Sequence, residues 1–207
     1  MPPAESKAGR MIDDIPEDEP FVPFSRWLTL AEKSEELAET MTVATVSAAG
    51  VPSLRAVLLK SVDQRGFVFY TNLESRKSDE LFVNPHAALC FHWKSLRRQV
   101  RVEGVAEQVS EDEADGYFAT RPRGSQIAAW SSDQSRPLES REQLDKRVDM
   151  FTRRFADRSA ILRPNFWSGF RVKPDRVEFW QDQPSRLHDR LVFVRDGGTW
   201  RKERLFP

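Results

Sequence analysis

The chain has one cysteine, Cys90, among its 207 residues. That excludes an intrachain disulfide and a cysteine-rich metal cage. Histidines number three; His86 and His92 flank an apolar strand with no second ligand at metal spacing, so no metal is expected. No Ser-His-Asp or Cys-His arrangement is readable from the spacing. The glycines are too scattered for a P-loop or a dinucleotide-binding turn. Neither sign of charge is in excess, with Lys+Arg and Asp+Glu both 32. A neutral chain offers no global field to a polyanion, which argues against a nucleic-acid partner. Any anion site must be built locally, by clustering. No apolar run is long enough to span a bilayer, and "MPPAESKAGRMIDDIPEDEP" has no apolar signal core. No membrane partner is expected, and the cytoplasm is the expected location.

What remains is a globular composition, 39% hydrophobic and 31% charged, in a length that suits one domain with a core. Residues 1–20 are acidic and proline-rich and read as a mobile arm; residues 21–207 read as a single domain. Phe24, Trp27, Leu28, Ala31 and Ala38 recur at helical spacing. Strands are expected over 41–48, 54–62 and 67–71 as an antiparallel meander. "NLESRKSDELF" enters a helix that stops at Asn84-Pro85. Two strands follow over 86–93 and 98–109, and Cys90 within the first reads as core filler. Ser110 and Glu113 form a capping-box signature. Leu144, Val148, Phe151 and Phe155 mark another helix, and strands return over 169–174, 176–180, 187–194 and 199–205, with "RDGG" as a hairpin turn. Short strands at even spacing with inserted helices imply a mainly β fold, a barrel with peripheral helices.

Four clusters carry possible chemistry. In "RAVLLK", Arg55 and Lys60 lie near the ends of an apolar strand on opposite faces, either as solvated ends or as part of a site. Ser75, Arg76 and Lys77 stand where a helix starts, a place attractive to phosphate; a capped surface helix is the plainer reading. Tyr117 and Arg121 share a helix face, and Pro122 turns the chain so that Ser125 can approach them. Hydroxyl, guanidinium and hydroxyl converging suit a phosphate, although a helix end with a basic cap would look the same. In "RLHDR", read as a strand, Arg186, His188 and Arg190 share one face. Such a row needs something anionic or electron-rich against it, and Trp180 nearby could cover a flat ring. Together these imply two phosphorylated aromatic ligands held against each other.

The blocks "RAVLLK", "FYTNLESRKSDEL", "RQVRVEG", "YFATRPRGSQIAAWSSDQS", "EFW" before "RLHDR", and a terminal "W…RL.P" make the chain resemble the pyridoxine/pyridoxamine 5'-phosphate oxidases from about Phe24 to Pro207. The resemblance implies a split β-barrel homodimer with FMN at the subunit interface. It implies oxidation of a vitamin B6 phosphate by molecular oxygen to pyridoxal 5'-phosphate and hydrogen peroxide. By position, Arg55, Ala56, Val57, Leu58, Leu59 and Lys60 match the FMN lining, with Arg55 near the phosphate. Tyr70, Thr71, Arg76 and Lys77 continue that cradle, and Gln99, Gln134, Ser135, Trp180 and Arg190 match the remaining flavin contacts. Lys60, Tyr117, Arg121 and Ser125 match the grip on the substrate phosphate. Arg186 and His188 match the residues over the pyridine ring and are the expected catalytic pair. Family members often carry an Arg-Arg-x-Tyr segment near the N-terminus, whereas this chain has no tyrosine before Tyr70.

Two other readings compete. A related flavin oxidase of another aromatic, of the phenazine-biosynthesis type, would not need the phosphate grip of Lys60, Tyr117, Arg121 and Ser125. A non-catalytic flavin or pyridoxal phosphate binder would hold ligand without consuming oxygen.

Overall fold

A computed structural model describes residues 15–207. The helices are α1 (Phe21–Ala31), α2 (Arg76–Val83), α3 (Glu111–Thr120), α4 (Arg123–Ser131) and α5 (Arg141–Arg154). The strands are β1 (Thr40–Val46), β2 (Pro52–Leu58), β3 (Ser61–Asp63), β4 (Gly66–Asn72), β5 (His86–Trp93), β6 (Arg98–Gln108), β7 (Trp167–Gln181), β8 (Asp189–Asp196) and β9 (Thr199–Arg204). All nine join one sheet in the order β2-β1-β5-β6-β7-β4-β3, with β8 paired to β7 and β9 to β8. Every pairing is antiparallel. The sheet curls until its two ends nearly meet. Leu59 N donates to Glu39 O just before β1, while Lys60 N donates to Val68 O on β4. Two adjacent residues thus stitch opposite ends of the sheet and draw it into a barrel.

Aromatic side chains fill the barrel, and α1 stops it like a plug. Phe24 and Trp27 are almost wholly buried. Phe24 meets Phe67 and Phe91 at 4.9 Å between centroids, and Trp27 meets Phe179 edge-on at 5.1 Å. Truncating either would cost about 3–5 kcal/mol. A second cluster, Phe118, Ile127, Phe151, Phe155, Ile161 and Trp167, fastens α3, α4 and α5 to the start of β7.

The Ser110-capped helix α3 and the Gly197-Gly198 hairpin form where the sequence marks them, whereas Ser75 opens α2 without a side-chain cap bond. Ser110 accepts from Glu113 N. The reciprocal half of the capping box is absent, because the Glu113 carboxylate accepts both bonds from Arg171 Nη2 instead.

Four expectations need correction. The arm is not loose to residue 20: Ile15 is buried, and Lys202 Nζ donates to the carbonyls of Ile15 and Glu17. The preceding arm, including the stretch without the Arg-Arg-x-Tyr pattern, lies outside the described residues. The first helix ends at Ala31; Ala38 is buried in the following turn, where its carbonyl accepts from Trp93 Nε1. The strand expected over 54–62 breaks at Leu59 and Lys60, where the chain crosses between the sheet's ends. The strands expected over 169–174 and 176–180 are one, β7. Pro174 is tolerated within it because the β6 register shifts at Glu103/Gly104. A Cβ on Gly104 would stand 2.0 Å from Lys173 O, so only glycine allows that approach.

Candidate active site

A cavity of about 730 Å³ opens between β2, β4, α2, α3 and the chain after α4. That volume suits a cofactor-sized ligand. Thirteen residues singled out in the sequence line it: Arg55, Ala56, Val57, Leu58, Lys60, Tyr70, Thr71, Arg76, Lys77, Tyr117, Arg121, Gln134 and Ser135. Asn72, Ala128, Ala129, Ser132 and Trp167 line it as well. The sequence reading missed these five; the aromatic Trp167 opening a strand was the one available signal.

Lys77 is the most informative group. Its side chain is buried at the start of α2 and donates to Thr71 Oγ1 (2.9 Å), Ser75 Oγ (3.0 Å) and Gln134 Oε1 (2.7 Å). All three acceptors are neutral, and among the described residues no carboxylate pairs with it. Burial, with Arg55 adding repulsion, lowers its pKa to about 8. A buried ammonium held only by neutral oxygens is costly until an anion arrives.

Arg55 and Arg76 stand beside it and share one buried acid. Arg55 donates to Thr45 Oγ1 (2.5 Å) and Ser53 Oγ (2.6 Å). Both hydroxyls donate onward to Glu80 Oε2, Ser53 at 2.6 Å. Arg76 Nε reaches Glu80 Oε1 at 2.9 Å. Burial opposes ionisation of Glu80, but bonds from Ser53, Thr45 and Arg76 prevail and hold its pKa down to about 2. The acid fixes both guanidiniums at the cavity edge.

The opposite wall is aromatic. Tyr70, Tyr117 and Trp167 stack in parallel, with Tyr70 4.0 Å from Tyr117 and 5.3 Å from Trp167. The Arg121 guanidinium lies over Trp167 at 4.7 Å, and its Nη1 is buried without a hydrogen-bond partner. Burial raises the pKa of both phenols, Tyr70 to about 12, so they stand as neutral donors. An orphaned guanidinium nitrogen beside a phenol is a second place for an acidic oxygen.

The other sequence candidates lie elsewhere. Leu59 is in the barrel core, and Ser125, in the first turn of α4, does not line the cavity. Gln99, Trp180 and Arg190 are register neighbours across β6, β7 and β8, so they share one sheet face. His188 lies 4.7 Å from the Trp180 ring. None of these residues, nor Arg186, walls the cavity.

"RLHDR" is not a strand. Pro184–Arg186 forms a short 3₁₀ turn, Ser185 and Arg186 take φ of 58° and 61°, and β8 begins only at Asp189. Pro184 lacks a ladder donor, and left-handed backbone cannot alternate faces. Arg186, His188 and Arg190 therefore share no strand face. Two of the groups have acids of their own. Arg190 donates to Glu178 Oε1 (2.8 Å) and to Phe206 O, and His188 Nδ1 lies 2.9 Å from Asp182 Oδ1.

Among the described residues no cluster suits a metal and no helix is long and apolar enough to cross a membrane. His86 and His92 are exposed on β5, while burial raises the pKa of the half-buried Cys90 thiol, which marks it as inert.

The family model "Pyridoxamine 5'-phosphate oxidase" matches residues 31–153, and "Pyridoxine 5'-phosphate oxidase C-terminal dimerisation region" matches residues 167–207. The second span contains Trp180, Arg186, His188 and Arg190. A pyridoxine/pyridoxamine 5'-phosphate oxidase of Gluconobacter oxydans is 54% identical over 201 residues, covering 95% of this chain and 100% of that protein. Among solved structures, PhzG from Burkholderia lata 383, in complex with tetrahydrophenazine-1-carboxylic acid, superposes with a TM-score of 0.89 at 31% identity. That match covers 96% of this chain and 97% of PhzG. An FMN binding protein of Nostoc punctiforme, related to pyridoxamine 5'-phosphate oxidase, shares the fold at a TM-score of 0.73 and 16% identity, covering 91% of this chain and 98% of its own. With a family model spanning more than half its length, the chain belongs to the pyridoxamine 5'-phosphate oxidase family.

Proposed function

We propose that the protein is an FMN-dependent oxidase of pyridoxamine 5'-phosphate or pyridoxine 5'-phosphate, with oxygen as acceptor and pyridoxal 5'-phosphate and hydrogen peroxide as products. The observation that carries this reading is the pair of anion-seeking groups in one cavity: buried Lys77 without a carboxylate, and Arg121 with an orphaned Nη1. Each suits one phosphate, and the reading needs two. Lys77, Thr71, Arg55 and Arg76 would hold the FMN phosphate, with Ala56, Val57, Leu58, Gln134 and Ser135 against the rest of the cofactor. Arg121, Tyr117 and Lys60 would hold the substrate phosphate, with Ser125 adjoining them at the head of α4. Bound FMN supplies the acceptor for the hydride leaving the substrate C4' carbon. The protein's own part is to align the ring, exclude water and fix the charges.

The protein works as a homodimer, consistent with the dimerisation region over residues 167–207. Gln99, Trp180, Arg186, His188 and Arg190, which do not wall their own cavity, would complete the cavity of the neighbouring subunit. Arg186 and His188 would then face the B6 ring. The cytoplasm is the proposed location, which suits a chain whose one thiol, Cys90, is free.

A phenazine-type substrate is the second reading, favoured by the 0.89 superposition on PhzG. The two phosphate-grade sites and the higher identity to the Gluconobacter protein favour the first. Oxygen uptake by the flavin-loaded protein decides. Uptake with either B6 phosphate, and pyridoxal 5'-phosphate as product, is expected; no uptake with either overturns the proposal.

A further inference from the structure

Asp182 is not among the residues assigned to the site, yet it holds one that is. Its Oδ1 lies 2.9 Å from His188 Nδ1. The other carboxylate oxygen pairs with Arg97, and Asp182 N donates to Arg97 O, so the acid is anchored from the turn between β5 and β6. Gln181 strengthens that anchor by donating from Nε2 to the carbonyls of Leu96 and Arg97. A second group competes for the same imidazole nitrogen: Gln183 N donates a hydrogen bond to His188 Nδ1 at 3.2 Å, whereas the Asp182 contact is a close approach of charge. The two contacts demand opposite proton positions. A carboxylate can only accept, so its contact is favourable only with a proton on Nδ1. The Gln183 amide can only donate, so its bond requires a bare Nδ1 and moves the proton to Nε2. Among the described residues, Nε2 has no hydrogen-bond partner and is free to meet a ligand.

We propose that Asp182 is a positioning residue that selects the Nδ1–H tautomer of His188, leaving Nε2 as a lone-pair acceptor towards the substrate. The choice follows from charge: a carboxylate 2.9 Å from Nδ1 repels a bare lone pair and draws a proton there, and this outweighs the single bond from a neutral amide 3.2 Å away. Arg97 keeps the carboxylate in place, and Trp180 packs against the imidazole ring. Loss of the acid hands Nδ1 to Gln183 N, so Nε2 becomes a donor with the ring still held. The role of Nε2 at the substrate rests on the proposed oxidase function; the tautomer does not.

The chain has only three histidines, so ¹⁵N-histidine labelling of the FMN-loaded protein gives a readable spectrum. Long-range ¹⁵N–¹H correlation at alkaline pH, where imidazole is neutral, should show His188 protonated on Nδ1. Asp182→Ala should show the proton on Nε2, and Asp182→Glu, which keeps a carboxylate, should retain Nδ1–H. In parallel, anaerobic flavin reduction by saturating pyridoxamine 5'-phosphate should slow in Asp182→Ala by about ten- to a hundredfold, the worth of one charged hydrogen bond. FMN affinity should not change. Nε2–H in the unaltered protein overturns the proposal without any variant. A flipped tautomer with an unchanged reduction rate overturns the positioning role. If the unaltered protein is inert towards both B6 phosphates while the tautomers behave as stated, the oxidase reading fails and the Asp182 assignment stands.

Discussion

Replacing Glu80 with alanine removes the one acid that ties together the cations at the cavity edge. Its side chain is 6% exposed, and it receives bonds from Thr45, Ser53 and Arg76, with Arg55 3.5 Å away. Arg76 is 61% exposed, so its share of the interaction is screened by water and small. Arg55 is mostly buried, and without Glu80 it and two hydroxyls lose their common acceptor. Breaking a buried ion pair from one side costs about 3–5 kcal/mol. At about 2–4 °C per kcal/mol for a chain of this size, the melting temperature of the apoprotein should fall by roughly 6–20 °C. Acid should erase the difference. The folded pKa of Glu80, about 2, lies below its ordinary 4.5, so its stabilisation is fully present above pH 4.5 and is lost as pH falls towards 2. Urea unfolding of both proteins across that range measures the gap directly. A difference below about 1 kcal/mol at neutral pH, or one that persists undiminished at pH 2, would mean that Glu80 does not anchor the cations.

Three further outcomes follow from the cavity. Arg121→Ala should weaken the B6 phosphate by about 1.5–3 kcal/mol, roughly ten- to a hundredfold, while FMN stays bound; loss of flavin with unchanged substrate affinity would mean the two phosphate sites are reversed. FMN affinity, followed by fluorescence quenching, should be highest below pH 8 and fall as pH rises through the pKa of Lys77. A phosphate favours the ammonium form, so one proton sets a limit of about tenfold per pH unit; a flat profile would remove Lys77 from the cradle. Mixing the impaired Arg121→Ala and Arg186→Leu proteins through reversible dissociation should raise activity above that of either alone, because a hybrid dimer has one intact cavity faced by one intact Arg186. No recovery in proven hybrids would mean that each subunit completes its own site.

The sequence was most informative where a signal is local. Ser110 caps α3, Ser75 to Lys77 open α2, and two glycines turn the last hairpin, because each needs only its near neighbours. It was least informative where the partner is remote. β7 continues through Pro174 because Gly104, on another strand, yields space for Lys173 O. The row expected in "RLHDR" dissolved for a local reason, left-handed backbone after Pro184, that residue types without glycine do not announce. The acids that organise the site, Glu80 and Asp182, were invisible because their partners lie on other elements: Thr45 and Ser53 for one, Arg97 for the other. A positive side chain is noticeable as a motif, but the carboxylate that aims it is found only once the sheet has formed.

Anaerobic mixing of the FMN-loaded dimer with pyridoxamine 5'-phosphate shows whether the cavity carries out the oxidation. The oxidised flavin absorbance should bleach, pyridoxal 5'-phosphate should appear in equal amount, and admitting oxygen should restore the absorbance with release of hydrogen peroxide. Flavin that stays oxidised with both pyridoxamine and pyridoxine 5'-phosphates bound would contradict the oxidase function.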